Sequence, residues 1–328
     1  MIRLSRPGLG VALAVALAAA PTVRASEPDK LLPAETDTVI AINLRQIIDS
    51  DIIKKYALEK IKEALQDNEA QKVLSELGLD PLKDVHRVVV SGSGKDQTDM
   101  KFLIIVHGKF DLEKLDKAVS LQTKQDKDHY SLIVDGQDKM FKYQPDTGNP
   151  LYIALVDEAT VILANSKKSI RTALATAKSS QKPAISRELA TLLASMDDKA
   201  SLWMASVVKG KLDGVNILNG PGVSPNLKAL LSKLDSVSVV IRVTTDVSLD
   251  ISLGMADTTA AAAAGQEVDQ GLQMVKGFAP ALTAQNPQMK PLADVLQTIK
   301  NTVKEKSVVI SAKLSGTAIE QMVKAAGK

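Results

Sequence analysis

Two hydrophobic periods take turns along this chain. Residues 38–44 (TVIAINL) form a short β-branched run, the pattern of a buried strand. Asp49 and Ser50 can then cap a helix in which Ile52, Ile53, Tyr56, Ala57, Ile61, Ala64 and Leu65 recur at helical spacing. Asn68 and Gln71 have capping-box spacing, Val73, Leu74 and Leu77 make a second stripe, and Gly78 is a stop signal. Residues 85–91 and 101–107 read as strands joined by the polar tip 92–100. Asp111 opens a helix with Leu112, Leu115, Ala118 and Val119 on one face. Segments 130–134 and 139–143 flank Asp135-Gly136, a hairpin turn pair, and 151–156 and 160–164 flank Asp157-Glu158. Ser166 caps a helix ending near Lys178, and SSQKP (179–183) reads as a linker.

The second half runs in a similar order. Residues 200–208 are a strand, 209–226 a Gly/Pro/Asn-rich stretch and 227–234 a short helix. Strands at 237–244 and 247–255 meet at Thr245-Asp246. A long Ala-rich helix follows over 259–282, with Val268, Leu272, Val275 and Leu282 as its expected packing face. A second helix is predicted over 290–304, then a strand at 307–314 and a closing helix at 317–326. Both halves therefore read β-α-β-β-α-β-α. The expected fold is α+β: two diverged β-α-β-β-α-β, ferredoxin-like repeats, with antiparallel sheets and helices packed on one face. Its divisions are 1–25 as a signal peptide, 26–178 as the first repeat, 179–199 as linker and short helix, and 200–328 as the second repeat. Whether the repeats share one sheet is left open by the pattern.

The first 25 residues have the layout of a secretory signal: Arg3 and Arg6, the apolar run LGVALAVALAAA, and a cleavage site after Ala25. That run is too short to span a bilayer as a helix. The expected destination is periplasmic or extracellular, with no membrane span after cleavage. Removal changes the charge. The chain carries 41 Lys and Arg against 38 Asp and Glu; Arg3, Arg6 and Arg24 lie in the leader, so the remainder balances at 38 against 38. No cationic surplus is left for nucleic acid, and four Phe, four Tyr and one Trp are a poor supply of stacking platforms. The absence of cysteine excludes disulfides, thiolate metal sites and Cys nucleophiles.

The block LLPAETDTVIAINLRQIIDSDIIKKYALEKIKEAL (31–65) with LGLDPLKDVHRVVVSG (77–92) resembles a group of exported proteins from planctomycete bacteria. Their mature part opens on a Leu-Pro-Ala-Asp/Glu-Thr segment, a strand, and a helix beginning near an Asp-Ser pair. The resemblance covers roughly 31–165. It implies export and a two-half architecture, and no activity or catalytic residue.

Candidate chemistry is thin. Gly92-Ser93-Gly94-Lys95 follows a strand, but Val89 stands where a phosphate loop needs its first Gly, and Asp96 replaces the magnesium-binding hydroxyl. The S-x-x-K matches at Ser179 and Ser206 lack their partner motifs. If the first hairpin is symmetric about 96–97, His86 faces His107, Val88 pairs with Ile105 and Val90 with Leu103. His129 would supply a third imidazole, yet no ligand framework surrounds them. The carboxylate pairs Asp197-Asp198, Asp157-Glu158 and Asp126 with Asp128 fall in turns among lysines and read as solvated. No metal or cofactor is expected. The stretch 209–226 is the best functional candidate: it cannot be a regular element, and Val215, Ile217 and Leu218 would offer an apolar surface to a partner. The residues favour a non-enzymatic binding or structural module of the cell envelope, partnered by an envelope protein or a small apolar ligand. The alternatives are a small-molecule or lipid carrier with a cleft between sheet and helices, and a hydrolase with a dispersed site.

Overall fold

The computed structural model describes residues 28–65, 79–94, 99–136, 138–212, 225–285 and 290–326. The leader, the helix expected over 68–77, and Val215, Ile217 and Leu218 lie outside the described residues.

The strands are β1 (Thr38–Ile42), β2 (Val85–Ser93), β3 (Lys101–Gly108), β4 (Tyr130–Asp135), β5 (Asp138–Tyr143), β6 (Leu151–Asp157), β7 (Thr160–Ala164), β8 (Leu202–Val207), β9 (Leu234–Val243), β10 (Val247–Met255), β11 (Lys300–Lys304) and β12 (Ser307–Leu314). The helices are α1 (Leu44–Asp49), α2 (Asp51–Tyr56), α3 (Leu58–Leu65), α4 (Pro81–Asp84), α5 (Leu112–Gln125), α6 (Lys167–Ala177), α7 (Arg187–Ala194), α8 (Pro225–Leu231), α9 (Thr258–Gln285), α10 (Lys290–Thr298) and α11 (Gly316–Ala326). The capping residues read from the sequence act as such: Ser50, Asp111 and Ser166 accept from the backbone N–H of Ile53, Lys114 and Ser169.

All these strands join one 12-stranded antiparallel sheet, ordered β11-β12-β10-β9-β8-β1-β2-β3-β7-β6-β5-β4. The two halves thus share a sheet, and β1 pairs with β8 at the seam, Ile40 opposite Met204. Outward from the seam each half shows the same order: a first strand, a hairpin, then the second strand of the next hairpin before its first. In the first half β5 and β4 extend the edge. This is not the ferredoxin-like order. A split β-α-β would lay the strand after the first helices parallel to β1 with another strand between them. Here β2 pairs directly and antiparallel with β1, because α1 to α4 return the chain beside it instead of crossing a neighbour.

Helices pack on both faces, which corrects the one-face expectation. Successive strand residues point to opposite sides. On one side Val39, Ala41, Val89, Leu103, Ile105 and Ile162 are buried with Ile170 and Ala173 of α6 and Leu189 and Leu193 of α7. On the other, Val88, Val106, Leu155 and Val161 meet Phe110 and Leu112 and Leu115 of α5. Toward the opposite end of that same side, Val237, Leu253 and Val308 meet α8 and Ala260, Ala261 and Ala264 of α9. On α9 the expected face shortens: Val275 is exposed, as are Met274 and Phe278.

One predicted helix is in part a strand. The element over 290–304 ends at Thr298, and Lys300–Lys304 form β11, which hairpins onto β12 through Glu305 at φ 51°.

Candidate functional site

Among the described residues the α6/α7 side of the sheet closes into one core, whereas the α5/α9 side holds two smaller clusters with a half-buried stretch between them. Neighbouring pairs carry an apolar row across it: Leu132, Phe141, Ile153, Leu163, Ile104, Val90, Ile40, Met204, Val239, Ile251 and Ile310. Phe141 is buried and Leu132 exposed; the rest are half-buried. Their counterparts one residue away, Val39, Val89, Ile105 and Ile162, are sealed.

At one end this face deepens into a cavity of about 260 Å³ between α8, α9 and the β9–β10 hairpin. Among the described residues Leu227, Leu230, Leu231, Leu234, Leu253, Met255, Ala264 and Val268 line it, with Glu267 as the one charged group. Leu253 belongs both to the cavity and to the sheet face. Helix α9 can lie low because its first turns are Ala and Gly: a Cβ on Gly265 would stand 2.3 Å from Val303 Cγ2. The stretch 209–226, chosen from the sequence, meets this place at both ends. Leu212 near its start and Leu230 and Leu231 just after its end pack in the same cluster. Glu267 was not among the residues the sequence singled out.

A second, smaller cavity, about 70 Å³, lies on the other side of the sheet at the seam, between Asp29, Arg87, His107, Leu193 and Trp203. His107 Nε2 donates to Asp29 Oδ2 at 2.6 Å, and Leu31 N donates to Asp29 Oδ1 at 2.9 Å. Arg87 Nη2 pairs with Asp198 at 3.2 Å and its guanidinium stands over the Trp203 ring, 5.9 Å from its centre. Among the described residues Arg87 Nε and Trp203 Nε1 are buried without a hydrogen-bond partner. Next to it, Arg242 bridges Asp197 at 3.0 Å and Asp250 at 2.9 Å. Asp197 and Asp198 are therefore not solvated turn residues; each anchors an arginine of a different half.

The histidines separate. A bulge at His86 shifts the hairpin register by one, so His107 faces Arg87, Val88 faces Val106 and Val90 faces Ile104. His86 is exposed. His129 is held by Asp126 at 2.9 Å and Asp146 at 2.9 Å, which raise its pKa, Asp146 contributing most. Ser206 Oγ is bonded to Thr38 Oγ1 across the seam at 2.7 Å.

The Asp29 carboxyl titrates below its ordinary value. Burial pushes it up, but the His107 bond, the Leu31 N–H and the charges of His107 and Arg87 together push it further down. Its contribution to stability is therefore complete above the unfolded value of ~3.9 and disappears as pH falls through the lower folded value. Asp29→Asn should melt below wild type at pH 7, and the gap should narrow toward pH 2, a trend that thermal scans across that range would read. A gap independent of pH would mean that Asp29 acts only by packing.

No family model, curated protein or solved structure matches the chain. Among the described residues no helix is long and apolar enough to cross a membrane.

Proposed function

We propose that the protein is an exported binding protein for a small apolar molecule, held between α8, α9 and the sheet, and that it belongs with the planctomycete proteins its N-terminal block resembles. The observation that carries the reading is the apolar cavity of about 260 Å³ opening onto a half-buried apolar sheet face. Concave, mostly apolar sites with few polar groups are the usual form of small-molecule sites. The leader over 1–25 supports export. The hydrolase alternative is weaker at both cavities. The apolar one holds a lone carboxylate, and at the polar one His107 Nε2 is committed to Asp29. The matching strand order outward from the seam supports descent of the two halves from one unit, now diverged: the apolar cavity belongs to the second half alone.

The test uses N-phenyl-1-naphthylamine, an uncharged apolar dye that brightens out of water. The full mature chain should bind it saturably, and Val268→Trp, which fills the cavity from α9, should weaken binding by roughly tenfold or more. A wild-type chain that gives no saturable signal, or a Val268→Trp chain that binds as wild type while melting normally, overturns the assignment.

A further inference from the structure

Glu267 stands where two different cavities meet. On one side is the apolar cavity. On the other is a second hollow of about 280 Å³, lined by Asn226, Lys233, Thr259, Gln266 and Gln270. Leu230 and Glu267 border both. A ligand spanning the two would have an apolar body and a polar end, and the group it passes between them is a carboxylate.

That carboxylate is uncommitted. Among the described residues Glu267 makes no ion pair and no side-chain hydrogen bond. It sits half-buried on α9, one residue before Val268 and three after Ala264, so its stem shares their apolar surroundings. Lys233, the cation of the polar hollow, already has an anion to face: its charge acts on Asp257, whose carboxyl is held below the usual range first by the Ala260 N–H and then by Lys233 and other neighbours. The charge left over at the junction is negative.

We infer that the site takes an amphipathic molecule with a cationic head, an alkylammonium whose tail fills the apolar cavity and whose N–H groups meet Glu267. The inference rests on the apolar-ligand reading and adds the head group to it. The cavity volume equals roughly nine waters at ~30 Å³ each, which suits a short chain or a compact aromatic body better than a long acyl tail. A charge-assisted hydrogen bond in a partly dry site is worth enough for roughly tenfold in affinity.

The experiment displaces N-phenyl-1-naphthylamine from the mature chain with octylamine, octanoate and octanol at pH 7. The three share a chain length and differ only in the head. Octylamine should displace at roughly tenfold lower concentration than octanoate, with octanol between them. Glu267→Gln should collapse the amine-to-acid ratio toward one; being a ratio, it is unaffected by any change in dye affinity. Equal displacement by amine and acid in wild type, or a preference that persists in Glu267→Gln, overturns the cationic head while dye binding still upholds the apolar site. Failure of the dye to bind at all removes both.

Discussion

Replacing Trp203 by alanine should remove about 3–5 kcal/mol of stability, the usual range for emptying a large aromatic from a packed core. Trp203 is 2% exposed and lies on β8 at the seam, opposite Ala41 of β1 and Val240 of β9. Its indole packs in the same core as Val39, Val89 and Leu193, which come from the first half and from α7. It also lies beneath the Arg87 guanidinium, so its loss strips the covering ring from a partly buried cation that pairs with Asp198. The seam has other fastenings that should survive. Asn43 Nδ2 donates to Asp198 O at 2.7 Å, and Gln46 Nε2 donates to Val243 O at 2.8 Å. The variant should therefore unfold in one transition, at lower denaturant, since the sheet continues across the seam. Circular dichroism in urea measures this, as the only tryptophan reporter is gone. A loss under about 1 kcal/mol, or two separated transitions, would mean that the halves do not share a core at β1 and β8.

Much of this arrangement is legible in the sequence, and the parts that are not have physical reasons. Strands and hairpins were readable wherever β-branched runs are punctuated by Asp-Gly, Asp-Glu or Thr-Asp turns. The strand β11 was not. Leu292, Val295, Leu296, Ile299 and Val303 happen to continue a helical period through the point where α10 ends. The turn that follows uses Glu305 in the left-handed region, with no Gly or Asn to mark it. Only the pairing of Val303 with Val308, a tertiary contact, decides the matter.

Register and coverage were harder still. The bulge at His86 sets the pairs from Arg87 to Ser93 one step off the register of Val85 with Gly108, and no local signal announces it. The alternation Val237, Val239, Ile241, Val243 against Ser236, Ser238 shows which side of β9 is apolar. It cannot show whether helices cover that side, and this coverage separates the sealed core from the open face. Glu267 was illegible for the same reason. It is one of two carboxylates on the Ala-rich helix α9, and it stands apart from Asp269 only because α8 and α9 leave a hollow on each side of it.

The close of β3 provides the sharpest test of the backbone geometry. Gly108 N donates to Ala159 O at 2.9 Å, Lys109 N to Asp84 O at 2.8 Å and Phe110 N to Glu158 O at 2.8 Å. The three bonds hold the end of β3 between α4 and the β6–β7 turn. The Lys109 bond draws the Asp84 carbonyl against Gly108. A Cβ there would stand 2.0 Å from Asp84 O and 2.8 Å from Phe110 Cζ. The first obstacle is backbone and the second is a ring, 7% exposed, that anchors the cluster of Val85 and Leu115. Neither can swing aside as the tip of a flexible side chain would. Gly108→Ala must separate α4 from β3, displace Phe110, or both, at a cost of about 2–3 kcal/mol, the upper part of the range for overpacking. Gly277→Ala supplies the contrast. It sits on exposed α9, where a Cβ meets nothing within 4 Å, so the same added methyl should stabilise by about 0.4–1 kcal/mol through helix propensity and a less flexible unfolded chain. Urea melts of both variants decide it. Opposite signs are expected, and a Gly108→Ala protein within about 0.5 kcal/mol of wild type would show that α4 does not close on β3 as described.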